Sequence, residues 1–378
     1  MGGMKKTVWL LMLLGLLTAG TGTVFGGEIP DIAGDLDGIE SAVSEMLAPG
    51  TTVSFRDLLS RLAEGDLSQT GELLWLLMKE QLSGGLYENQ QLLFKIAALA
   101  VIGAIFTNFA MAFSKEQVAE TGFYLTYTLL MTLLMSSFVM TASIVTDVLS
   151  ALTGFMKVLL PTFCLTLTLT TGSLLSGAYY ELMMLAIALA DWVMAAVLVK
   201  LIQVYILTAL VNHISQEDYL SKLGELLAVL IRWSIRTVVG LVLGINVIQT
   251  MLLPAIDRAK STAAYKLISA VPGVGIAMNT AAGAVIGSGV LIRNVLGMGS
   301  LIMILIICVM PVIRVCLVLL SYRVVQSIIQ PVSDKRLLDG IESITQGVGM
   351  LLQVLFGCVL MFILSLAVVC NAASVINV

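Results

Sequence analysis

Charged side chains that interrupt long apolar runs are the first place to look for chemistry in this sequence. Asp191 stands mid-run between Ala190 and Trp192, and Lys200 follows nine positions later. Arg314 comes soon after Pro311, and Arg323 lies nine residues further on. A charge at bilayer depth costs about 2.5 to 3.5 kcal/mol on insertion scales, so it turns toward protein or water. Two readings of these four residues stay open. They form a polar path that contacts an ion or substrate, or they form helix–helix salt bridges and helix ends close to the interface. Asn246 and Gln249 sit inside another apolar run and fit interhelical hydrogen bonding better than a site.

The residues that enzymes need are sparse. His213 is the only histidine, and the five cysteines (Cys164, Cys308, Cys316, Cys358 and Cys370) all lie inside apolar runs without CxxC spacing. That pattern suits small apolar packing residues and disfavours a zinc site. Gly273-Val274-Gly275 lacks the third glycine and preceding strand of a dinucleotide fingerprint, and no Walker lysine follows. Gly287-Ser288-Gly289 is not a nucleophile elbow. Gly283 and Gly287 do form a GxxxG pair, which permits close helix packing or lines a narrow backbone passage. No nucleophile–base pair can be assembled, so the expectation is no enzyme, no cofactor and no metal.

The elements that carry these residues are set by composition. Of 378 residues 58% are apolar and 12% charged, where soluble chains carry about 25% charge. So much apolar surface needs lipid as solvent, which predicts an all-α, polytopic membrane bundle. Residues 1–26 read as a signal peptide: Lys5 and Lys6, a short apolar core, then small residues up to Gly26. Residues 27–91 read as an extracytoplasmic acidic segment, since positions 28–90 hold twelve acids against three bases. Within it, Ser54 is a helix N-cap candidate and Leu58, Leu59 and Leu62 recur at helical spacing. No basic run follows a phosphate backbone, so nucleic acid is not an expected partner.

From residue 92 to 378 the chain reads as the transmembrane domain. Spans are expected at 92–113, 122–146, 179–211, 237–253, 295–329 and 347–369, with amphipathic stretches at 214–236 and 255–270. The segments 149–177 and 271–292 carry proline, glycine and threonine. Pro161 and Gly172 in the first, and Pro272, Gly273 and Gly275 in the second, are candidate broken-helix positions. Each segment precedes a long apolar helix that ends in Asn212-His213-Ile214-Ser215 or in Gln330-Pro331-Val332-Ser333. This likeness suggests two internal repeats, about 121–235 and 236–370. Transporters built from repeats place broken helices at the membrane midplane.

Several motifs in order resemble the stage III sporulation protein AE family. They are Asn212-His213-Ile214-Ser215 with Leu220-Ser221-Lys222-Leu223-Gly224, Asn246-Val247-Ile248-Gln249 with Pro254-Ala255-Ile256-Asp257, Ala270-Val271-Pro272-Gly273, Gly287-Ser288-Gly289, and Gln330-Pro331-Val332-Ser333-Asp334. The resemblance implies a protein of the mother-cell membrane that surrounds the forespore. It implies a subunit of a channel-like complex with other membrane subunits, ring-forming proteins and a cytoplasmic ATPase. It brings no catalytic residues. A non-conducting scaffold that assembles such a complex stays open as the alternative.

Overall fold

The computed structural model describes residues 116–171, 175–214, 219–268, 275–331 and 335–372, with isolated positions between 40 and 105. All the long elements are helices. They are α1 (Glu116–Thr171), α2 (Leu175–Asp191), a π-helical turn (Trp192–Leu198), α3 (Val199–Ile214), α4 (Ser221–Ile268), α5 (Gly275–Ile329) and α6 (Lys335–Ala372). Among the described residues, five stretches are long and apolar enough to cross a bilayer: Tyr124–Thr162, Leu182–His213, Ser221–Ile248, Val295–Ile329 and Lys335–Ala367. The chain is therefore an all-α, multi-pass membrane bundle. The signal segment lies outside the described residues, as does nearly all of the acidic segment. Ser54 stands outside helical conformation while Arg56 and Leu59 are helical, as a cap at Ser54 requires.

Two pairs of expected segments are each one helix. The stretch 122–146 and residues 149–171 of the next are both part of α1, whose 56 residues make a rod about 84 Å long at 1.5 Å per residue. Residues 221–236 and the stretch 237–253 merge likewise in α4. Hydropathy drops at Asp147 and Arg236, but a charge does not end a helix. Only a missing backbone partner does, and none is missing there. The break expected at Pro161 is absent: α1 runs through it, as α5 runs through Pro311. A proline removes one ladder bond, and membrane helices re-satisfy the freed carbonyl locally. Gly275 opens α5, while Gly172, Pro272 and Gly273 lie outside the described residues. The border between the two expected repeats falls inside unbroken α4.

Threonine and serine are tolerated in α1 because their hydroxyls bond back to the preceding turn. Thr128 donates to Tyr124 O at 2.8 Å, Thr132 to Thr128 O at 2.7 Å, and Thr146 to Ala142 O at 2.9 Å.

The core is organised around α6, which packs against α1, α3, α4 and α5. Its inward side is fully buried at Ile341, Ile344, Val348, Leu351, Leu355 and Phe362. Glycines set how near the neighbours come. A Cβ on Gly340 would collide with Met131 of α1, and one on Gly347 with Ile206 of α3. A Cβ on Gly357 would lie 3.1 Å from Val239 Cγ2 of α4 and 4.0 Å from Met194 Cε. These contacts fix direction as well as distance. Along α6 from Gly340 to Ser365, the partners on α1 and α4 rise in number, while those on α3 and the π turn fall from Ile206 to Met194. Helices α1, α4 and α6 therefore run one way, and α2–α3 and α5 run the other.

Candidate intramembrane polar site

Asp191 is the last residue of α2, at the entry to the π turn. The turn is defined by the Val199 N–H, which reaches five residues back to Met194 O instead of the usual four. A π turn holds one residue more per turn than an α-helix, leaves a looser hydrogen-bond ladder, and is common at functional sites. No glycine or proline produces it; the segment Trp192–Leu198 is apolar throughout.

The wall opposite is α1. Thr153 points its hydroxyl at the Asp191 carboxylate, and Lys157, one turn further on, is the cation that acts on it. Thr153 is buried, and neither its Oγ1 nor Asp191 Oδ1 closes a hydrogen bond of good geometry. Two inward polar atoms thus face each other without full satisfaction. Buried polar groups are normally paired, so this pair stands out from the apolar packing around it. Two free thiols complete the surroundings. Cys358 of α6 feels both Cys308 of α5 and Asp191, and both thiols are buried. Side chains from four helices therefore lie within electrostatic reach of one another here. Among the described residues no group of three His, Cys, Asp or Glu converges there or elsewhere.

The four charges singled out in the sequence are not gathered. Asp191 faces the interior, whereas Lys200, Arg314 and Arg323 are exposed on the outer surface of α3 and α5. Thr153 and the π turn were not singled out. Thr153 carried a signal, since it lies one turn before Lys157 on the same helix, but the π turn carried none.

Several other buried polar groups are structural clasps. At one end of the bundle Tyr127 Oη donates to Leu210 O, Tyr205 Oη donates to Gln346 Oε1 at 3.0 Å, and His213 Nε2 lies 3.0 Å from Ser343 Oγ. Asn212 Oδ1 accepts from the Leu220 N–H at 2.8 Å and closes the α3–α4 turn. At the other end Asn246 Nδ2 donates to Ser365 Oγ at 2.8 Å. The interhelical role expected of Asn246 is what the structure shows; the Gln249 side chain lies outside the described residues.

Comparison with known proteins agrees with the sequence motifs. The family model described as stage III sporulation protein AE matches residues 53–373. Stage III sporulation protein AE of Bacillus subtilis (strain 168) is 22% identical over 402 residues, covering 98% of each chain. No solved structure matches.

Proposed function

Because the chain belongs to the stage III sporulation protein AE family, we propose that it is the membrane-embedded subunit of a sporulation-specific, secretion-like channel between mother cell and forespore. On this reading it sits in the mother-cell membrane around the forespore and supports late forespore development. Its partners there are the other membrane and ring-forming subunits of the stage III complex and the cytoplasmic ATPase. It acts by binding and passage rather than by bond chemistry.

The observation that carries the reading is Asp191, an acid inside the bundle at a π turn, with an unsatisfied Oδ1 facing Thr153. A helix bundle that served only as a scaffold gains nothing from that pair. Each unmet polar atom costs about 1 to 3 kcal/mol, and an apolar replacement would remove the cost. The test is the Asp191→Asn, Arg314→Gln double variant in a sporulating host. Expression of late forespore genes and assembly with partner subunits are measured together. Loss of expression with normal assembly supports conduction. Wild-type expression with both charges gone overturns it and leaves the scaffold.

A further inference from the structure

Two outward faces of this bundle carry charge within membrane spans. On α1, Thr128, Thr132, Ser136, Ser143, Asp147 and Ser150 follow one another at helical spacing, and all six are exposed. On α4, Arg232, Arg236 and Gly240 are exposed at the same spacing, with half-buried Gly244 one turn beyond. A Cβ on Gly240 or Gly244 would meet nothing within 4 Å. Lys222 pairs with Glu225, whereas Asp147, Arg232 and Arg236 enter no ion pair among the described residues.

The heights of these charges can be read off α6. Gly340 lies against Tyr127 and Met131, and Gly347 against Phe138. Helices side by side rise equally per residue, so the Met131–Gly340 and Phe138–Gly347 contacts, which share one offset, bring Asp147 level with Phe356. On α4, Gly357 lies between Ile235 and Val239, and Ser365 is bonded to Asn246. The same reading sets Arg236 level with Leu355 and Phe356, and Arg232 one turn earlier. Asp147 is therefore at the height of Arg236, near the centre of the spans Tyr124–Thr162 and Ser221–Ile248. Ser150 of α1 and Gly240 of α4 also share one height. Within one chain these faces cannot meet, because α2 packs against both α1 and α4 and stands between them.

We infer that a second copy of this chain covers the α1 face with its α4 face, seating Asp147 against Arg236 with Arg232 one turn away. Copies inserted the same way share every height, and α1 and α4 run in the same direction, so the charges match without any shift along the membrane normal. Small Ser150 opposite Gly240 lets the two backbones approach closely. Both patches are used once by each copy and they differ, so the contact is heterologous and closes into a ring around an axis along the membrane normal. This goes beyond the channel reading and holds whether or not Asp191 conducts.

The test uses two differently tagged full-length copies in native membranes, one carrying Asp147→Cys and the other Arg236→Cys. Oxidation is expected to give a dimer with both tags, and a ladder beyond dimer when one chain carries both cysteines. Disulfides between two copies at position 147, capture of a different protein, or no product would each overturn the inference. Charge reversal gives a second readout. Asp147→Arg alone is expected to cut co-purification of the two tags at least tenfold, and Arg232→Asp with Arg236→Asp on the same chain to restore it. No restoration, with each variant at wild-type membrane level, overturns the pairing. Gly240→Leu enters space that is open within the chain, so it folds and should still separate the copies. Undiminished co-purification of that variant argues equally against the inference.

Discussion

Tyr127 Oη donates a 2.9 Å hydrogen bond to the carbonyl oxygen of Leu210, tying the first turns of α1 to the last turns of α3. The two residues are 83 positions apart in sequence, and the bond is buried. It sits at the same end of the bundle as the Tyr205–Gln346 and His213–Ser343 contacts, so α1, α3 and α6 are pinned together there. Tyr127→Phe keeps the ring and removes the donor. The expected loss is about 0.5 to 1.5 kcal/mol, the net worth of one such bond. Tyr127→Leu should lose more, because the ring is itself fully buried and truncation adds a cavity. Thermal unfolding in detergent ranks the two, and equal melting temperatures for wild type and Phe would show that the bond adds nothing.

The glycines of α6 give a graded series. Gly347→Ala sets a Cβ into the branched side chain of Ile206, with Phe138 Cε2 also 3.6 Å away, and should cost about 1 to 3 kcal/mol as overpacking. Gly340→Ala meets mainly the mobile end of Met131 and should cost less. Gly349→Ala meets nothing within 4 Å, so it should gain about 0.5 to 1 kcal/mol from helix propensity. Melting temperatures in the order 349, wild type, 340, 347 bear out the packing. Any other order places the close approach elsewhere.

Asn246 and Ser365 offer a double-mutant cycle. Asn246 Nδ2 donates both to Val242 O in its own helix, at 2.9 Å, and to Ser365 Oγ at 2.8 Å, and the residue is fully buried. Asn246→Val and Ser365→Ala should couple by about 0.6 kcal/mol, the average for interhelical bonds in membranes. The sum stays small because the amide keeps its bond to Val242 when the serine is lost. Strict additivity of the two single variants would remove the α4–α6 clasp.

The fold class was legible because lipid imposes it: at this apolar content only a helical bundle or a barrel satisfies its backbone, and the runs were too long for strands. The segmentation was less legible. Asp147 and Arg236 lower hydropathy and so read as boundaries, although α1 and α4 pass through them. Those same residues are exposed, facing away from the core of their own chain. Asn246 was readable as a bonding residue, but its partner Ser365 was not, since 119 residues separate them. Asp191 was readable by its type alone. Its setting was not, because the π turn beside it differs from an α-helix only in how far back its N–H groups reach.

That turn can be removed. Deleting Ala196, a small half-buried residue inside the π turn, takes out the extra residue and lets Trp192–Leu198 close as α-helix while α2 and α3 keep their faces. The shortened chain should reach the membrane and melt at or above the wild-type temperature, because the ladder becomes regular. Deleting Val204 within α3 is the control. It turns everything on one side of the gap by about 100° relative to the other, and should destroy the contacts of Ile206 and Leu210. If the π turn exists to aim Asp191 past Thr153, the Ala196 deletion should lower late forespore gene expression as far as Asp191→Asn does, with stability intact. Full expression from a stable Ala196 deletion would mean that the turn is an accident of packing and that Asp191 needs no special presentation.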